Sequence, residues 1–248
     1  MNKLKGIFSA IAAAVLLFTS CEPVQPTYVV SSYSSNIYTI TEDLKLAPEF
    51  EDTLYRVNNV GDFGKFGLEP GDRAHLILHY YFDAYNGKGG ELNIYSNVEE
   101  IATLPIMPRG SVDANDYEMP LGLYSYELLY ANTYPTWIWD NRLNINVSFA
   151  AKPSATDFVM ALRGVEKDTV RLDILAKTTL PSDTVNSKLL SYDIKNITEM
   201  FTDEEKSALR EYEKLTFRIY RKNKKVTGEL YDVACGIYAG EYVNPLHN

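Results

Sequence analysis

The sequence predicts a mainly β protein, a sandwich or barrel of short strands carrying one short helix. Three observations predict it. Apolar and polar residues alternate with period two in segment after segment, turn-rich stretches separate those segments, and tyrosine, a strand-favouring residue, is abundant at 19 residues.

The clearest alternation is RLNINVSFA, where Leu143, Ile145, Val147 and Phe149 face one side and Asn144, Asn146 and Ser148 the other. That is the signature of a half-buried antiparallel strand. TVRLDILAK turns Val170, Leu172, Ile174 and Ala176 inward, LSYDIKNI does so with Leu190, Tyr192 and Ile194, and KLTFRIYRK with Leu215, Phe217 and Ile219. DFVMALRG adds a strand over Phe158 to Leu162. RAHLILHYYFD and ELNIYSNVEEI flank AYNGKGG, and the Asn86-Gly87 and Gly89-Gly90 pairs predict a hairpin between them. One helix is expected over 202–213. Thr202 and Glu205 fit a capping box, and Asp203, Glu204 and Glu205 suit a helix N-terminus. The break PIMPRGSVDANDYEMP, residues 105–120, predicts a domain boundary.

The N-terminus has three zones. Lys3 and Lys5 are followed by an apolar run from Ile7 to Phe18, and small Thr19 and Ser20 lead into Cys21. The run is too short to span a bilayer and has the form of a secretory signal over residues 1–20. The stretch resembles a bacterial lipobox, with Phe18 where leucine is commonest, so Cys21 is the expected lipidation site. The plainer alternative is an ordinary signal peptide that contains a cysteine. Acyl chains on Cys21 would anchor the protein firmly, at about 0.8 kcal/mol per buried CH₂. Residues 21–36, with Pro23, Pro26 and SSYSSN, are expected to form a flexible tether.

Removing Lys3 and Lys5 with the signal leaves 22 basic against 33 acidic side chains, a net charge of −11. That excludes nucleic acid and anionic lipid as general electrostatic partners. With Cys21 acylated, Cys235 has no partner for a disulfide and reads as a small buried apolar residue.

Taken in order, several motifs resemble the NigD-like lipoprotein family. LEPGDRAHLILHYYFD is similar to its Gly-Asp-Arg strand start, and WIWDNRLNINVSFAA to its Leu-Asn-Ile strand after a tryptophan-bearing turn. TVRLDILAKTTLPSDT and SYDI resemble two further strands, and the tail from Gly228 has no clear counterpart. The resemblance implies a small OB-like barrel over 37–108 followed by an antiparallel β-sandwich over 109–248. It also implies a non-catalytic, lipid-anchored interaction protein of the cell envelope, in the outer membrane. The family name is tied to a bacteriocin locus, which points to immunity against a toxin and to a protein partner.

His75 and His79 have the i, i+4 spacing of helical zinc ligands. On a strand they stand about 13 Å apart, too far to share one ion, and read as a polar strand face. NGKGG opens no helix and is a turn rather than a phosphate cradle. DANDYE (Asp113, Asn115, Asp116) lacks calcium-loop spacing and reads as linker. Nucleophile and dinucleotide motifs are missing, so no catalytic residue, cofactor or metal is expected. Asp52, Asp168 and Asp183 each open an Asp-Thr-aliphatic triplet resembling a bacterial O-glycosylation signal. The candidate binding surface is the aromatic stretch holding Tyr124, Tyr126, Tyr130, Tyr134, Trp137 and Trp139. Such side chains suit a protein interface or a sugar-stacking platform, which makes a glycan the second ligand class. The plainer alternative places them between domains or in the core.

Overall fold

A computed structural model describes residues 29–49, 53–83, 88–123, 136–224, 230–232 and 237–247. The expected signal peptide, Cys21 and Cys235 lie outside these residues. Among the described residues two sheets account for the fold.

The first sheet contains β1 (Val29–Ile40), β2 (Leu46–Pro48), β3 (Arg73–Asp83) and β4 (Lys88–Glu100), in the order β2-β1-β3-β4. Every ladder in it is antiparallel. β1 pairs with β3 from Val29 opposite Asp83 to Thr39 opposite Arg73. Residues 29–36, expected to belong to the tether, are therefore strand. The serines of SSYSSN carry no apolar alternation because they lie in solvent, and β3 supplies the hydrogen-bonding edge that holds them extended. Tyr38, Ile40, Leu46, Leu76, Leu78 and Ile94 turn to the opposite side and form a core with Val57, Phe63 and Leu68. The far edge of β4 is covered by the chain itself. Leu92 and Ile94 donate their N–H groups to the side-chain oxygens of Asn58 and Asn59, both at 2.9 Å, and Asn58 N–H and Asn59 Nδ2 return bonds to the Leu92 and Ile94 carbonyls. Over Leu92–Ile94 the edge is therefore closed to another strand. The β3–β4 register also shifts at three places, and bulges of this kind bend and coil a sheet over its core.

The second sheet is larger. Its strands are β5 (Thr103–Met107), β6 (Gly122–Leu123), β7 (Trp137–Trp139), β8 (Arg142–Ala151), β9 (Thr156–Glu166), β10 (Thr169–Thr178), β11 (Pro181–Asp193), β12 (Lys214–Lys224), β13 (Leu230–Asp232) and β14 (Ile237–Val243). They run in the order β13-β12-β10-β9-β5-β11-β8-β6, with β14 also on β12 and β7 also on β8. The inward residues of the four alternating segments all meet in one core, joined by Met160 and Leu162. The mainly β class thus rests on the alternation that predicted it.

Alternation could not show how the strands are joined. β5 lies between β9 and β11 and is parallel to both, and β10 is parallel to β12, so the sheet is mixed where antiparallel pairing was expected. β5 also moves the passage between sheets to residues 101–102, ahead of the expected boundary at 108/109. Its five residues, TLPIM, include Pro105 and are too few to show a period. The two ends of the sheet approach each other in a nearly closed barrel-like arrangement. Leu121 N–H reaches the Lys222 carbonyl at 3.4 Å, and β14 passes β7 at Gly240. Gly240 has φ 134°, and a Cβ there would lie 3.3 Å from Ile138 Cδ1. Both the backbone angle and the close approach call for glycine.

The helix α1 covers Asp203–Leu209 and is shorter than the expected 202–213. Its capping box forms, with Glu205 N–H donating to Thr202 Oγ1 and Thr202 N–H to Glu205 Oε2. It stops early because the buried Asn244 amide donates to the Leu209 and Tyr212 carbonyls, at 2.8 and 2.7 Å, satisfying C-terminal carbonyl groups. The tail from Gly228, for which the motifs offer no clear counterpart, supplies both β14 and the Asn244 contacts at the helix end.

Candidate functional site

The aromatic stretch chosen from sequence does not form an exposed platform where it is described. Tyr124, Tyr126, Tyr130 and Tyr134 lie outside the described residues. Trp137 is only 5% exposed and packs with Ile37, Ile101 and Leu189 where the two sheets meet. Its indole N–H donates to Glu49 Oε2 at 2.8 Å. Trp139 is half-buried against the same cluster. Burial of the ring and commitment of its N–H take Trp137 out of the expected binding surface and make it a joint between sheets.

Around that joint the polar groups are also buried. Arg73 at the start of β3 is ion-paired with Glu49, with Nε at 2.6 Å from Oε1, and its Nη2 donates to Asn144 Oδ1 of β8 at 2.9 Å. Burial pushes the Glu49 carboxyl above its ordinary range, against the pull of the Arg73 guanidinium and the Trp137 N–H. Ion pair, amide and indole link residues of the first sheet to β7 and β8 of the second. This is an architectural element.

The exposed constellation is on the outer face of the first sheet. Tyr33 of β1 is 59% exposed and stands opposite His79 of β3, which stands opposite Asn93 of β4. The Tyr33 and His79 rings stack at 4.6 Å. Tyr95, 60% exposed, meets Tyr33 edge to face at 5.0 Å and 74°. Serines of β1 fix the imidazoles from below, with Ser31 Oγ 2.8 Å from His79 Nε2 and Ser35 Oγ 2.7 Å from His75 Nε2. Burial holds the His75 imidazole below its ordinary pKa.

Tyr95 lies on this face two residues after Asn93, with core residue Ile94 between them, and sits at a bulge. Ile77 pairs with Ser96 and Leu78 with Ile94, which leaves Tyr95 as the inserted residue. Val98 is inserted in the same way between Asn97 and Glu99, and it too is exposed, at 52%. At these two bulges the strand presents an aromatic and an aliphatic group on an otherwise polar face. His75 and His79 therefore do form a strand face, as their alternation implies. The Tyr33–Tyr95 corner was missed because Tyr33 sits in a serine run that reads as tether, and only the pairing of β1, β3 and β4 brings the two rings together.

The remaining candidates have local roles. Asp113 accepts the Asn115 N–H at 2.9 Å and caps a short 3₁₀ turn over Ala114–Asp116, and Lys222 Nζ donates to the Ala114 carbonyl. Among the described residues no three His, Cys, Asp or Glu side chains converge as a metal site would require, and no helix is long and apolar enough to cross a membrane. A cleft of about 340 Å³ at the β7–β14 seam is lined by Ile138, Tyr238, Ala239 and Gly240, with Glu241 as its carboxylate.

No protein-family model and no curated protein matches the chain. Solved structures do. A NigD-like immunity protein from Bacteroides caccae superposes with a TM-score of 0.54 at 15% identity, over 86% of this chain and 96% of its own. An uncharacterized protein from Parabacteroides merdae gives 0.51 at 12% identity, over 88% and 100%. A protein from Bacteroides fragilis described as a candidate lipoprotein gives 0.51 at 12%, over 81% and 97%. At these identities the likeness is one of fold, and it extends over nearly the whole of each relative. The motif resemblance and the two-sheet architecture converge, and this chain has the fold of the NigD-like proteins.

Proposed function

We propose that this chain is a lipid-anchored, non-enzymatic protein of a bacterial cell envelope, held in the outer membrane through Cys21 and acting as a protein-interaction module. The Tyr33–Tyr95 corner carries the reading. It is a pair of exposed tyrosines held in fixed geometry on a sheet and surrounded by serine, histidine and asparagine. Tyrosine offers a large amphipathic contact with little entropy to lose, and serine and asparagine adapt around it, as in binding surfaces built for proteins. The apolar run ending at Cys21 supports the anchor. The Bacteroides caccae relative is described as an immunity protein, and a role of that kind needs only a binding face held at a membrane.

Replacing Cys21 by Ala is expected to release the protein from membrane fractions, and retention would refute the anchor. A photo-crosslinking residue at position 95 is expected to trap one envelope protein that the same residue at exposed position 185 does not. Equal trapping at both positions would refute the interaction face. A glycan reading has one observation in its favour, the exposed Tyr33 ring flanked by hydrogen-bonding Ser31 and Asn93. Neutral oligosaccharide binding that is lost in Tyr33→Ala would replace the protein partner.

A further inference from the structure

We infer that the Tyr33–Tyr95 corner is a receptor for a cationic side chain, an arginine or lysine presented by a basic segment of a partner protein. The inference deepens the proposed interaction role and rests on it. The molecule supplies its own internal comparison. Elsewhere in the molecule two tyrosines are each covered by a cation from a strand of the large sheet: Arg163 lies 4.4 Å from the Tyr220 ring centre and Lys177 lies 4.9 Å from that of Tyr117. Among the described residues no guanidinium or ammonium stands over Tyr33 or Tyr95, although both residues are more than half exposed. Two rings at 74° form two walls of a corner, and the negative faces of aromatic rings attract cations in such settings.

Charge on this face points the same way. β1 contains no charged residue, β3 has no lysine or arginine after Arg73, and β4 has none after Lys88. The titratable side chains that accompany the two tyrosines on the face include His75, His79, Tyr81, Glu91 and Glu99, with exposed Glu91 paired with Tyr81 one row beyond Asn93 and the Tyr81 hydroxyl 3.3 Å from the Asp83 carboxylate. Lys188 of β11 acts on Glu99, at the level of His75 and away from the corner. A chain with 33 acidic against 24 basic side chains adds a long-range field that draws basic partners and repels acidic ones.

The test uses the full chain in detergent micelles and a synthetic peptide with three arginines spaced by glycine and serine, next to the same peptide with glutamines. The arginine peptide is expected to bind and the glutamine peptide not. Tyr33→Ala or Tyr95→Ala is expected to weaken binding about tenfold, in line with one or two desolvated cation–π contacts. Tyr33→Phe, which keeps the ring, and Tyr117→Ala, whose ring Lys177 already covers, are expected to leave it unchanged. Circular dichroism of each variant confirms that it is folded. Equal binding by the alanine variants would assign the attraction to diffuse acidity and overturn the inference, as would equal binding of both peptides. A protein trapped at position 95 with no arginine-peptide binding overturns the cation receptor alone. Tyrosine-dependent peptide binding with no protein trapped overturns the interaction role alone.

Discussion

The joint between the sheets and the open face of the first sheet are built from similar parts, and burial separates their roles. The joint has one tryptophan, a carboxylate, a guanidinium and an amide. The open face has tyrosines, imidazoles, serines and carboxylates. Inside, the carboxylate, the indole N–H and the Nε and Nη2 of the guanidinium are committed to particular partners, because a buried group without one is costly. Among the described residues only Arg73 Nη1 of that ion pair is left without a hydrogen bond. Outside, water serves unpaired groups at little cost, and aromatic rings can stay uncovered until a ligand covers them. Sheet polarity follows the same logic along β1, where Tyr38 and Ile40 enter the core, Ile37 enters the joint and Tyr33 stays in solvent.

The contrast is most easily broken at Arg73. Its replacement by Ala leaves the buried Glu49 carboxyl without its cation, so a loss of about 3–5 kcal/mol is expected, read as a lowered midpoint in urea unfolding. A loss below about 1 kcal/mol would mean that the joint is wet and the comparison misplaced. Trp137→Phe is a milder probe, since an aromatic ring remains while the N–H to Glu49 and part of the indole volume are removed. A cost of about 1–3 kcal/mol is expected for the unsatisfied oxygen. A neutral result would show that Arg73 alone satisfies Glu49.

How much of this was legible follows from which signals are local. The core of the large sheet was readable because Leu143, Ile145, Val170, Leu172, Phe217 and their neighbours alternate in sequence as they do in space. The capping box at Thr202 was readable because both its partners lie within four residues. Features set by distant partners were not. The helix ends early because Asn244 caps it from 35 residues away. β1 is strand where a tether was expected because β3 holds it, and β5 is parallel to two strands that come later in the chain. The exposed site fails in the same way, because a serine run hides Tyr33 and only the distant pairing of β1, β3 and β4 brings Tyr95 to it.

Gly240 tests whether the large sheet needs its seam closed. Gly240→Ala would force a φ of 134° on a residue with a Cβ and press it against Ile138. About 1–3 kcal/mol is expected to be lost, in equilibrium unfolding. A cost confined to a few tenths would mean that β14 moves away from β7 freely.

The smallest effect sharpens the contrast most. Tyr33→Ala removes a stacked contact with His79 and an edge contact with Tyr95, but it exposes no buried polar group and opens no cavity. Cross-strand aromatic pairs on a solvated face contribute about 0.2–1 kcal/mol, so a stability change of at most about 1 kcal/mol is expected. The same variant is expected to lose partner crosslinking from position 95. A binding defect with stability nearly intact separates a surface held open for a ligand from one that merely packs. A loss of 3 kcal/mol or more, matching Arg73→Ala, would make Tyr33 a structural residue and would erase the distinction between the two constellations.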